Sequence, residues 1–229
     1  SKLIKRYGGK VLFDAAASSP YINVPCELYD ALVLSPHKLL GGPASCGLLI
    51  IKKSLIDTTI APSFSGGGTV LYVNKTSQIY QEDVEAREEA GTPPILQFIR
   101  ASLAYQLRNE IGFEFIKNRK DELKDLFISE LKKIPNCLIY GNQEASNIGI
   151  VSFNIKGLSP YDLCNKLSLE DGFQTRAGCS CAGPYGHDLL GIEKLDMNNR
   201  PGWVRISIHF SQTKEEIMNL VEGIKKAIN

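Results

Sequence analysis

Ala31-Leu32-Val33-Leu34 runs straight into Ser35-Pro36-His37-Lys38-Leu39-Leu40-Gly41-Gly42-Pro43. Four apolar residues without polar alternation suit a strand buried on both faces, as in a sheet covered by helices. The polar turn and the Gly-Gly-Pro that follow mark its carboxyl end. Two further runs have the same character: Val11-Leu12-Phe13 before it and Gly47-Leu48-Leu49-Ile50-Ile51 after it. Together they predict a parallel α/β sheet. Open sheets of that kind bind ligands at the carboxyl ends of their strands. Two polar groups stand at such ends here, Asp14 after Phe13 and Ser35 to Lys38 after Leu34.

Downstream, Ser63 to Glu89 carries Gly66-Gly67-Gly68 and the charged run from Glu82 to Glu89. It is long for a connection in a compact domain, so it is expected to be functional or packed on a partner. The glycines suit either close approach to a phosphate or partner backbone, or a simple turn; the charged run suits a solvated face. Ile95, Ile99, Leu103, Leu107 and Ile111 then recur every four residues, with Thr92 placed to cap a helix, Pro93 and Pro94 in its first turn and Gly112 at its end. A second helix is expected over Glu114 to Lys133, strands around Cys137–Tyr140 and Ile148–Ile155, and a helix from Ser159-Pro160. After a loop from Thr175 to Gly202, Val204, Ile206 and Ile208 alternate with Arg205, Ser207 and His209 as in a half-buried strand. Thr213 with Glu216 forms a capping box before a last amphipathic helix. The order implies part of a large α/β domain over 1–100 and a smaller α+β domain over 101–229, hinged near the helix that starts after Thr92.

The chain has 229 residues, Lys+Arg 26 against Asp+Glu 25 and a formal charge of +1, so no basic field drives nucleic-acid binding. The same balance gives no attraction to an anionic membrane, and no apolar run reaches the roughly 18–20 residues of a membrane helix. Six cysteines without a C-x-x-C pair, in a chain with 43% hydrophobic residues to build a core, fit a reducing, cytoplasmic setting.

A lysine amine at a strand tip can form a Schiff base with an aldehyde once burial or neighbouring charge lowers its ordinary pKa of about 10.4. A carboxylate on the adjacent strand suits a protonated pyridine nitrogen, which is what pyridoxal phosphate asks of its protein. On spacing alone this is suggestive only, and a solvated surface lysine with a strand-end aspartate is the stronger reading.

The motif Ser35-Pro36-His37-Lys38-Leu39-Leu40-Gly41-Gly42-Pro43 resembles the lysine segment of class V aminotransferase-fold enzymes, the group containing cysteine desulfurases and selenocysteine lyases. Asp14-Ala15-Ala16, Gly66-Gly67-Gly68-Thr69, Glu89-Ala90-Gly91-Thr92-Pro93, Arg176-Ala177-Gly178-Cys179-Ser180-Cys181-Ala182-Gly183-Pro184 and Arg205-Ile206-Ser207 resemble further segments of that family, in order. The resemblance implies a fold type I, pyridoxal-phosphate-dependent enzyme acting on a small amino acid. Lys38 would hold the cofactor as a Schiff base and shuttle protons, Asp14 would pair with the pyridine nitrogen, and Ser35 and His37 would contact the phosphate. Thr92 would reach the phosphate of a neighbouring subunit, which implies a homodimer. Arg205 would grip the substrate carboxylate, where a planar fork suits a carboxylate, and Arg176 would shape that end of the pocket. Cys181 would take sulfur as a persulfide and pass it to a protein acceptor.

A free thiol with a pKa of about 8.5 is only roughly 3% ionised at neutral pH, so the loop around Cys181 must be electropositive; Arg176 and His187 lie close in sequence. A small buried residue is the other reading of Cys181. Cys179 fits a structural or redox companion, and Cys26, Cys46, Cys137 and Cys164 fit core or loop positions. Cys179, Cys181 and His187 lack a fourth ligand for zinc, so no metal is expected.

The chain departs from the resemblance in two places. Ala17 stands where many desulfurases carry a glutamine, which implies an outlying subgroup whose substrate is not cysteine. Only thirteen residues precede Asp14, so the family's upstream phosphate-cradling turn and stacking ring have no counterpart. A C-terminal portion with an incomplete site, weak or absent cofactor binding and no activity alone is therefore expected. The alternatives are an aminotransferase or another lyase on the same scaffold, with Cys181 structural, and a truncated, non-catalytic dimerisation module.

Overall fold

The computed structural model of the chain describes residues 1–193, 196 and 200–228. These fall into two compact units, Ser1–Phe113 and Glu114–Asn229. The periodic helix placed near the hinge lies wholly in the first unit.

In the first unit, α1 (Lys2–Arg6) precedes a three-stranded sheet of β1 (Leu12–Asp14), β2 (Ala31–Leu34) and β3 (Leu48–Ile51). β1 pairs with β2 in parallel, but β3 runs antiparallel to β2, matching Leu34 to Leu48 and Ala31 to Ile51. The expectation of an all-parallel sheet is corrected there. A long excursion through the Lys38 turn reverses the chain, and an unbroken apolar run carries no direction signal of its own. Nor are the strands covered on both faces within this chain: Leu12 is 60% exposed and Leu49 59%.

The amino end of β2 is fixed electrostatically. The buried Asp30 carboxylate accepts from Val11 N–H at 2.9 Å and from Lys52 Nζ at 2.7 Å, with Lys5 Nζ at 3.6 Å. The Lys52 hydrogen bond first, and the Val11 amide next, hold this carboxyl at about 2, well below the usual range.

Residues 63–89, expected to be a long connection, form a hairpin and a short helix. β4 (Val70–Val73) pairs antiparallel with β5 (Gln78–Tyr80), and the Asn74 side chain accepts from the Thr76 and Ser77 amides in the turn. α2 (Val84–Glu88) follows, with Asp83 accepting from Ala86 N–H as its cap. Its Arg87 is buried, donates to the Ile60 carbonyl and lies over the Tyr80 ring at 5.2 Å, so the charged run is not wholly a solvated face. The three glycines make a turn: Thr69 N–H donates to Gly66 O and Gly91 N–H to Gly67 O.

α3 (Ile95–Ile111) begins after Pro94, not at Thr92, which makes no cap. Pro94 has no N–H to satisfy and sets the entry angle, so the helix starts one residue beyond it. Its every-fourth apolar stripe is exposed at Ile95, Ile99 and Leu103; the residues it buries are Ala101 and Ala104. Small side chains let this helix approach the Lys38 turn closely, and Arg100 donates to Pro43 O at 2.8 Å.

The second unit is an α+β layer with the larger core. Helix α4 (Phe113–Leu131), which begins one residue before it, and α5 (Pro160–Asp171) and α7 (Lys214–Ile228) cover one face of a sheet. That sheet has the order β6 (Cys137–Ile139), β7 (Ile150–Ile155), β9 (Trp203–Ser207), β8 (Arg176–Gly178), all neighbours antiparallel. Phe127, Phe153, Leu163, Leu167, Val204 and Val221 are fully buried there, and Phe127 meets Phe153 edge-on at 6.2 Å. The expected capping box is formed: Glu216 N–H donates to Thr213 Oγ1 and Thr213 N–H to Glu216 Oε2. Ser159 caps α5 by accepting from Tyr161 N–H.

The segment expected as a loop over 175–202 holds β8 and the short helix α6 (Gly183–Leu190); residues 194, 195 and 197–199 of it lie outside the described residues. β9 ends at Ser207, so His209 is not on the strand. Its Nδ1 lies 2.7 Å from Ser211 Oγ, and burial pushes its pKa down.

Candidate active site

The first unit gathers four of the sequence-predicted residues at one end of its sheet. Asp14 closes β1 and is matched to Val33 in the parallel register, while Ser35 begins the turn just past the end of β2. Parallel pairing therefore brings the Asp14 carboxylate and the Ser35–Lys38 turn to the same carboxyl edge. Asp14 Oδ1 accepts from Ala16 N–H at 2.9 Å, which fixes the side chain at the strand tip. Its other oxygen accepts no hydrogen bond among the described residues. Pro36–Lys38 is one turn of 3₁₀ helix, with Lys38 N–H donating to Ser35 O and Leu39 N–H to Pro36 O.

Pro36 and Leu39 are buried and anchor that turn, so His37 and Lys38 are presented outward. Among the described residues neither side chain makes a hydrogen bond or an ion pair. Gly42 is what lets the turn close: a Cβ there would stand 1.9 Å from Pro36 O. Thr92 lies on a separate loop, exposed, in an open depression with Phe64 and Glu88.

The second unit gathers the other three. Arg176 on β8 is matched to Arg205 on β9, and Arg205 in turn to Ser152 on β7. Val204 and Ile206 point into the core, so the alternation puts these three on the opposite face, in one row. Past β8 the backbone turns through Ser180 at φ +50 and Cys181 at φ +67, left-handed conformations that non-glycine residues seldom hold and that recur at functional sites. Cys181 is exposed, unlike a core cysteine, and Arg176 Nη2 donates to its Sγ at 3.3 Å. His187, half-buried on α6, makes no hydrogen bond to Cys181 among the described residues.

Cys179 points the other way. Its Sγ is 4.0 Å from Pro201 O, and a Cβ at Gly186 would come within 2.8 Å of it, so α6 packs directly on this thiol. That is a structural placement. Cys137 and Cys164 pack against the core, and burial raises both thiols, Cys137 to about 11.

A carboxylate held by one oxygen, an outward amine, a hydroxyl and an imidazole on one sheet edge form a donor set that fits pyridoxal phosphate. The glycine-closed turn that carries three of them supports the fit. Two members of the arginine row, Ser152 and Tyr140, escaped the sequence reading. Tyr140 N–H donates to Ser152 O at 2.8 Å, continuing the row onto the end of β6. The alternation Val151, Phe153, Ile155 places Ser152 on the open face, but only strand register reveals its neighbour.

A lysine turn past one strand, an aspartate at the tip of its parallel neighbour and a following α+β unit with an arginine row point to one class of protein, and the family comparison agrees with it. Residues 1–220 match the family model described as Aminotransferase class-V, and the chain belongs to that family, one of pyridoxal-phosphate-dependent enzymes. Among curated proteins it is 29% identical over 232 residues to a probable cysteine desulfurase of Synechocystis, covering 100% of this chain and 52% of the relative. It is 31% identical over 222 residues to a cysteine desulfurase of Haloferax volcanii, covering 96% and 49%. Among solved structures, the apo cysteine desulfurase of Thermococcus onnurineus matches at TM-score 0.84 and 28% identity, over 98% of this chain and 54% of that one. Cysteine desulfurase CsdA of Escherichia coli matches at TM-score 0.84 and 25% identity, over 99% and 53%. The chain thus spans about half the length of the relatives it matches.

Proposed function

We propose that the protein to which this chain belongs is a pyridoxal-phosphate-dependent enzyme that removes sulfur, or the related selenium, from a small amino acid. The observation that carries the proposal is the exposed Cys181 sulfur resting on Arg176, cross-strand neighbour of Arg205. An exposed thiol next to a pair of guanidinium groups suits a substrate with a carboxylate at one end and sulfur at the other. The curated relatives named as cysteine desulfurases support the same reading.

In this scheme Arg205 holds the substrate α-carboxylate through its planar fork. Asp14 would pair with the cofactor's ring nitrogen, Ser35 and His37 would contact its phosphate, and Thr92 would do so across a homodimer. Pyridoxal phosphate supplies an electron sink for negative charge on the substrate carbon. Lys38 binds the cofactor and moves the proton at that carbon. The Cys181 sulfur forms a bond with the substrate sulfur while the substrate carbon–sulfur bond breaks. The electron pair stays on the carbon side and is protonated there, leaving alanine and a Cys181 persulfide for an acceptor protein.

The test is release of alanine and sulfide from cysteine by the whole protein to which this chain belongs, with pyridoxal phosphate and a thiol reductant present. Loss of release in Cys181→Ala is expected, together with loss of the cofactor's absorption band in Lys38→Ala. Release that survives Cys181→Ala would overturn the sulfur-carrier role and favour another lyase or an aminotransferase.

A further inference from the structure

Like charges directly opposite each other on a sheet repel, yet Arg176 and Arg205 face one another across β8 and β9. Among the described residues neither guanidinium has a carboxylate partner. Among the described residues the buried Arg205 Nε has no hydrogen-bond partner. Arg176 has found a poor acceptor, the Cys181 sulfur at 3.3 Å. That contact is the only hydrogen bond of the Cys181 side chain among the described residues, and it ties a loop with two consecutive left-handed, non-glycine residues back to the sheet.

A carboxylate is a far better partner for such a row than a thiol. It is planar, charged, and able to accept from two forks at once. An anion seated on Arg205 would relieve the repulsion between the two arginines and compete directly with Cys181 for Arg176.

We propose that Arg176 is a positioning residue with two partners: it clamps Cys181 to the sheet while the row is empty, and turns to the substrate carboxylate once Arg205 has bound it, freeing the Cys181 segment to move. The inference rests on reading Arg205 as the carboxylate-binding residue and Cys181 as the sulfur carrier. It makes the freedom of the Cys181 segment depend on occupancy of the row.

Hydrogen–deuterium exchange of residues 177–184 in this chain tests the clamp without requiring turnover. The probe is L-alanine, which has the α-carboxylate and no sulfur; ethylamine, which lacks the carboxylate, is the control. Exchange in the wild type is expected to rise several-fold with L-alanine and to be unchanged by ethylamine. Arg176→Met should exchange fast with or without L-alanine, whereas Arg205→Met should stay slow and unresponsive. Fluorescence of Trp203 reports whether each variant keeps the β9 environment.

No response of the wild type to L-alanine, or slow exchange in a folded Arg176→Met, would overturn the proposal. Either result leaves the desulfurase reading to be judged by Cys181→Ala. Conversely, a carboxylate-dependent clamp in a protein whose Cys181→Ala form still releases sulfide would retain the switch and remove the sulfur-carrier role.

Discussion

Adding a single methyl group at Gly42 should dislodge Lys38. An alanine Cβ there would lie 1.9 Å from Pro36 O, 2.9 Å from Pro36 C and 3.0 Å from Leu39 O, all backbone atoms that cannot rotate away. Carbon–oxygen contacts normally stop at about 3.3 Å, so the turn must open by more than about 1 Å. Two hydrogen bonds close that turn, Leu39 N–H to Pro36 O and Gly42 N–H to Leu39 O, both 2.9 Å. Losing them costs about 1–3 kcal/mol net, and overpacking of this kind costs about 1–3 kcal/mol in general. Taking about 2–3 kcal/mol for the local opening, the Leu39 amide should exchange with deuterium about 30- to 150-fold faster, at 1.36 kcal/mol per tenfold.

Gly67→Ala is the matched control, because a Cβ at Gly67 meets nothing within 4 Å. Both variants should be measured by residue-resolved amide exchange under conditions where opening is at equilibrium. If Leu39 exchanges within about twofold of the control rate in Gly42→Ala, well below what about 1 kcal/mol would give, the steric reasoning is wrong.

Acid should loosen the first unit through Asp30. Its carboxyl is held at about 2, so its stabilising contribution is complete above the ordinary value of 3.8 and disappears as pH falls from there through 2. The Ala31 amide, which donates to Val11 O, should gain exchange over that window in the wild type but not in Asp30→Asn; equal pH slopes would contradict the assignment. In the second unit, Phe153→Ala empties the centre of the core and should cost about 3–5 kcal/mol. The urea midpoint followed by Trp203 fluorescence should then fall by more than about 1 M, and a fall below about 0.3 M would show that the Phe127–Phe153 contact is not central. Burial holds the Cys137 thiol at about 11, so at pH 8 iodoacetamide should modify it far more slowly than the exposed Cys26, as read by peptide mass spectrometry; equal rates would refute its burial.

What was legible in the sequence was local. The Thr213–Glu216 box, the Ser159-Pro160 start and the alternation through Val204 and Ile206 each encode their own element, because the cap or the period lies within a few residues. The segment from Ser35 to Pro43 identified the turn and its lysine for the same reason. Pairing partners were not legible. Nothing in Leu48–Ile51 distinguishes parallel from antiparallel, and the opposition of Arg176 to Arg205 follows only from the register of β8 on β9. The β4–β5 hairpin escaped notice because Leu71, Tyr72, Val73 and Ile79 are exposed, so no alternation marks a buried face, and its turn is held by the single side chain of Asn74. α6 is hidden for another reason. It opens on Gly-Pro, spans eight residues, and depends on the close approach of Gly186 to Cys179.

The short strand β2 works as a ruler. With about 3.3 Å of rise per residue, the five steps from Asp30 to Ser35 span about 16 Å, with the ion cluster at one tip and the reactive turn at the other. Sliding β2 by one position along β1 would carry the amine about 3.3 Å away and invert which face of the strand looks inward. The charge lock at the far tip sets this phase, because only one alignment lets Asp30 reach both the Val11 amide and Lys52. Chemistry at position 38 is thereby calibrated by a carboxylate that no substrate would ever touch.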